Sequence, residues 1–142
     1  MQRQHGAAIC LALALGGCAT SRPASYVAAG TPRDNEVIAT AICRYLGDAL
    51  PPGRTTVVIE PAKSGNVALL GLLGADLRAL GFGVAEPTSD AINAVPVRLL
   101  LTSSFGGYVA RVDYGSQEVG TYFGRDVSGN LQASSPFVRR EL

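Results

Sequence analysis

Among the side chains able to do chemistry, Cys18 has the most informative surroundings. It closes the run Leu15-Gly16-Gly17-Cys18, behind an apolar stretch from Ala7 to Leu15 and a start, Met1-Gln2-Arg3-Gln4-His5, with one arginine. Small residues at Gly16 and Gly17 let the chain enter a peptidase site in extended form, with cleavage between Gly17 and Cys18. The Cys18 thiol is then the acceptor for a diacylglycerol. The apolar run falls well short of the roughly 20 residues that span a bilayer, so it reads as a processing segment. The alternatives are an ordinary signal peptide cut elsewhere, or a buried N-terminal helix.

One acyl chain gives only marginal membrane binding, and stable attachment takes two or more. Bacterial lipoproteins commonly carry three, palmitate among them, so an anchor at Cys18 is durable. The following residue is Ala19 and not Asp, which in the enterobacterial sorting scheme favours the outer membrane, with the protein facing the periplasm. Cys10 leaves with the signal, so Cys43 has no partner in the chain and an intramolecular disulfide is excluded. Two readings of Cys43 follow: a small hydrophobe buried in a helix face, or a thiol that pairs with another subunit.

Absences narrow the chemistry further. The one histidine, His5, lies in the signal, and there is no tryptophan. Ser-His-Asp and Cys-His catalysis are therefore impossible in the mature chain, and zinc sites built on His and Cys are excluded with them. Asp34, Glu36, Asp48, Asp76, Glu86, Asp90, Asp113, Glu118 and Asp126 are scattered, which suits solvated acids better than a paired acid and base. No catalytic residue, metal or cofactor is expected. Removing Arg3 leaves eleven basic against eleven acidic side chains, with Arg139-Arg140 the only adjacent basic pair. Such a balance argues against direct nucleic-acid binding, which needs clustered cations. Lys63-Ser64-Gly65 lacks the glycines of a phosphate loop and reads as a turn, with Ser64 or Asn66 capping the next helix. Tyr108, Tyr114, Tyr122 and Phe123 resemble a stacking face, but without a basic surround they are better read as sheet packing.

These residues need a scaffold, and the sequence outlines one. Residues 1–17 are the signal, and 18–33, rich in Pro, Ser, Thr and Gly, are the lipidated cysteine and a flexible tether. Tyr26-Val27 is its one sticky spot. Residues 34–142 are about the usual size of one domain. Asp34 is the expected N-cap of a helix whose face is Val37, Ile38, Ala41, Ile42, Tyr45, Leu46 and Ala49, ended by Pro51-Pro52-Gly53. A β-branched strand follows over 55–60. The second helix runs over 66–80 with the stripe Leu69, Leu70, Leu73, Leu77 and Leu80, closed by Gly81. Further strands are expected over 82–85, 97–102, 108–114, 118–123 and 136–140, with turns at Gly106-Gly107, Gly115-Ser116 and Ser128-Gly129-Asn130. The expected class is α+β: two helices on one face of a mostly antiparallel sheet of about four to five strands.

A short lipoprotein with Leu50-Pro51-Pro52-Gly53-Arg54-Thr55 leading into a strand, a helix ending Leu77-Arg78-Ala79-Leu80-Gly81-Phe82, and a closing Phe137-Val138-Arg139-Arg140 resembles the TrbH-type conjugal transfer lipoproteins. The resemblance implies a non-enzymatic subunit of a mating-pair or type IV secretion complex in the bacterial envelope. Its partners would be the membrane, through Cys18, and other envelope subunits, with no small-molecule substrate. A general outer-membrane accessory lipoprotein, for assembly or exclusion, is the alternative. A small-ligand module would need a pocket between helices and sheet.

Overall fold

A computed structural model describes residues 23–88 and 91–141. The first half alternates strands and helices: β1 (Ser25–Val27), α1 (Pro32–Ala49), β2 (Thr56–Ile59), β3 (Ala62–Gly65), α2 (Val67–Ala79) and β4 (Gly83–Ala85). A single 3₁₀ turn, Pro52–Arg54, connects α1 to β2. The second half is all strand: β5 (Val95–Ser104), β6 (Gly107–Tyr114), β7 (Gln117–Arg125), β8 (Leu131–Ala133) and β9 (Val138–Glu141).

The α+β class and the two helices are as the sequence implies, but the sheet is larger and its pairing is mixed. Among the described residues it has nine strands, of which only β5–β6, β6–β7, β7–β8 and β7–β9 pair antiparallel. The other four pairings, β1–β3, β1–β5, β2–β4 and β2–β5, are parallel. Parallel neighbours need a long crossover, usually a helix, and α2 supplies one between β2 and β4. Four to five antiparallel strands were expected because β1, β3 and β8 are too short to show an alternation.

β5 organises the sheet. One edge pairs with β6 along its length, while the other is shared end to end, Val95–Val97 with β2 and Leu100–Leu101 with β1. Strand alternation turns Val97, Leu99, Leu101, Tyr108, Ala110, Val112, Tyr114, Val119 and Phe123 to one buried face. That face meets Ile38, Ile42 and Leu46 of α1 and Leu69, Leu73 and Leu77 of α2 in one core.

The local signals were partly displaced. Asp34 is not the N-cap of α1: Thr31 is, its hydroxyl accepting from the Asp34 amide at 3.1 Å, because Pro32 starts the helix earlier. The buried face of α1 is Asp34, Asn35, Ile38, Ala39, Ile42, Cys43 and Leu46, and Ala49 lies outside it. In α2, Leu69, Leu73 and Leu77 are buried, whereas Leu80 is exposed. Gly81 ends α2 in the left-handed region, at φ 96°. Gly74 permits the close approach of Ile59, but Gly71 faces open space. Lys63-Ser64-Gly65 is no turn but edge strand β3; at Gly65, φ is 101° and a Cβ would run into the Val27 carbonyl.

Candidate functional site

Gly17 and Cys18 lie outside the described residues, so the site the structure shows is the place where the segment after them joins the domain. Part of the stretch read as tether is built into the sheet. Tyr26 and Val27 pair with Leu100 and Leu101, and Val27 is 1 % exposed. Arg33 already lies in the first turn of α1.

The junction is held by side chains. Where β2 and β1 meet on the edge of β5, the ladder is interrupted, and the Ser25 hydroxyl fills the break. It accepts from the Leu99 amide at 3.1 Å and donates to the Glu60 carbonyl at 2.6 Å. The Ser25 amide donates to the Pro61 carbonyl, and Arg98 Nε donates to the Ala24 carbonyl at 2.9 Å. Ala24 and Ser25 are thus bonded to β5 and to the Glu60-Pro61 link between β2 and β3.

Beyond β1 the chain crosses an ionic cluster in which Asp34 is buried and Arg125 reaches the surface. Asp34 accepts two bonds from Arg125, Nη2 to Oδ2 at 2.7 Å and Nη1 to Oδ1 at 3.1 Å. Tyr108 donates to the same carboxylate at 3.2 Å, and its hydroxyl lies 3.4 Å from the Ala29 carbonyl. Arg125 hydrogen bonding holds the Asp34 carboxyl below its ordinary range against the opposing effect of burial. Burial, then the adjacent Asp34 charge, push the Tyr108 phenol upward. Arg125 also donates to the Gly106 and Gly129 carbonyls, tying the β5–β6 and β7–β8 turns together. Asn35 and Asn66 exchange amide bonds at 2.6 and 3.3 Å. Asn66 therefore sits at the N-cap of α2 without capping it.

The opposite face of the sheet carries an ordered row of charges. Arg98, Asp113, Glu118 and Arg140 stand directly opposite one another on β5, β6, β7 and β9. Two acids side by side would repel. Arg111, two residues along β6, relieves this by lying 3.8 Å from Asp113 and 3.3 Å from Glu118. Arg98 and Arg140 close the ends at 3.1 and 2.7 Å.

Cys43 is buried on α1, its thiol 3.6 Å from the Leu73 carbonyl. Desolvation, helped by the Asp76 charge, pushes it up to about 12, so the thiolate that disulfide exchange needs is strongly disfavoured. It lies at the side of a groove of about 550 Å³ between α1 and α2, lined also by Arg44, Asp48 and Asp76. Among the described residues, no three His, Cys, Asp or Glu side chains gather as metal ligands would. Tyr108, Tyr114 and Phe123 belong to the core, and only Tyr122 turns to the other face. Tyr45 stacks on Phe137 at 4.8 Å and shares a 3.0 Å hydrogen bond with Tyr114. This fixes the C-terminal Phe137-Val138-Arg139-Arg140 run against α1 and β7.

Sequence reasoning missed Arg98 and Arg125. Arg98 leaves one signal, a charge inside the apolar run Val95–Leu101, whereas Arg125 and Asp34 lie 91 positions apart with no local cue. Comparison with curated proteins finds no match, and comparison with solved structures finds none. The family model for TrbH, described as conjugal transfer protein TrbH, matches residues 19–141, which span every described element. The chain belongs to the TrbH family of conjugal transfer proteins.

Proposed function

We propose that this protein is a lipid-anchored structural subunit of the conjugative transfer complex in the bacterial envelope, acylated on Cys18 and held at the outer membrane facing the periplasm. The observation that carries this reading is the family match running from residue 19 onward, beside the lipoprotein-type sequence Leu15-Gly16-Gly17-Cys18. The ordered junction at Ser25 supports it, because Ser25 fastens the start of the described chain to the Leu99 amide and the Glu60 carbonyl. Among the described residues, no helix is long and apolar enough to cross a membrane, so attachment through acyl chains suits the domain. The Asp34–Arg125 pair and the row from Arg98 to Arg140 tie α1 and the β5–β9 face together.

The test is affinity purification of the C-terminally tagged protein from conjugating cells in mild detergent, with companions identified by mass spectrometry. Co-purifying components of the transfer channel are the expected result. Recovery of the protein alone, or with unrelated outer-membrane assembly factors, would overturn the reading.

A further inference from the structure

The face of the sheet turned away from the helices is apolar at several points outside its row of charges. Tyr26 is 51 % exposed, Val109 43 % and Val138 67 %, with Leu100 and Tyr122 half-buried. Register aligns Tyr26 beside Leu100, and Val109 beside Tyr122. The charges on this face are unevenly displayed. Asp113 and Glu118 are 17 % and 12 % exposed, whereas Arg111 and Arg140 are 45 % and 70 %. An approaching surface therefore meets guanidinium groups and apolar side chains, with the acids screened beneath them.

The residue preceding β1, Ala24, is tied to a side chain of this same face. Arg98 lies on it, since its neighbours Val97 and Leu99 point to the core, and Arg98 Nε holds the Ala24 carbonyl at 2.9 Å. Only residues 19–23 separate Ala24 from Cys18, a reach of at most about 20 Å. With so short a link, an acyl anchor at Cys18 brings this face within reach of the bilayer.

We infer that the Tyr26–Val109–Arg111 face of the sheet rests on the membrane surface, with its arginines at the phosphate headgroups and its tyrosines and valines at the headgroup–acyl boundary. The inference rests on the acyl anchor proposed above. Tyrosine suits a boundary with one apolar and one wet side. Arginine can lay its stem along apolar surface and leave its charge among phosphates.

The chain lacks tryptophan, so a single one can be placed as a probe. Val109→Trp and Tyr26→Trp mark the proposed contact, and Thr40→Trp marks the exposed surface of α1. Each full-length protein, purified with its lipid, is reconstituted into phosphatidylethanolamine–phosphatidylglycerol vesicles containing brominated phospholipid. The intact mass of the same sample reports acylation. The expected result is quenching at positions 26 and 109 at least about twofold stronger than at position 40, as for side chains seated in the interface. Acylated protein with equal quenching at all three positions would overturn the membrane face and leave the anchor standing. Unmodified Cys18 would overturn the anchor, and the inference with it.

Discussion

Asp34 shows how a charged residue can be both buried and stable. At 3 % exposure its carboxylate depends on Arg125 and Tyr108 for the hydrogen bonds water would otherwise give. Asp34→Ala is expected to cost about 2 kcal/mol, measured by urea unfolding, because Arg125 stays partly solvated when its partner is lost. The Asp34 pKa is depressed in the fold, so its contribution is complete above its ordinary value of 3.8. It is lost as pH falls through the lower folded value. Asp34→Asn should therefore flatten the acid limb of the stability profile. Cys43 acts at the other limb. Its folded pKa is raised from 9.0 to about 12, so its stabilising effect is complete below pH 9.0 and disappears as pH rises towards 12. Tyr45, raised from 10.0 to about 12 chiefly by burial, adds to the same loss. Replacing Cys43 with alanine should reduce the alkaline slope, whereas an unchanged slope would show that the thiol is not buried as described.

At the scale of elements, periodic and well-punctuated segments were legible, and those defined only by distant partners were not. The leucines of α2 and the glycine after them mark that helix from sequence. Strands β5, β6 and β7 announce themselves by β-branched and aromatic residues. β3 reads Ala62-Lys63-Ser64-Gly65, with no β-propensity, and exists because β1 offers it an edge. β1 in turn looks like tether from its Pro, Ser and Gly neighbours, yet Val27 is buried in the core. The family resemblance was readable from motifs spread along the chain. The junction built by Ser25, Arg98 and Asp34 was not, because its partners come from the Glu60-Pro61 link after β2, from β5 and from β7. Ser25→Ala tests that junction: it removes the acceptor for the buried Leu99 amide and should cost about 1–3 kcal/mol. Thermal unfolding at the parental temperature would mean that the break in the β5 ladder is bridged in another way.

The whole molecule joins a short N-terminal segment to a sheet that is covered by helices on one side and studded with arginines on the other. Its edges lie at β3 and β4 on one flank and at β8 and β9 on the other, with main-chain groups available to envelope partners. Fixing the domain to a membrane raises its local concentration around a complex assembled there, and loss of the anchor forfeits that gain. Cys18→Ser separates the two contributions, since residue 18 precedes every described element. The most direct test is the DNA-transfer frequency of cells carrying Cys18→Ser, with the variant protein confirmed as exported, folded and equally abundant. A lipid-anchored subunit predicts a fall on the order of tenfold or more, whereas transfer at the parental level would contradict it.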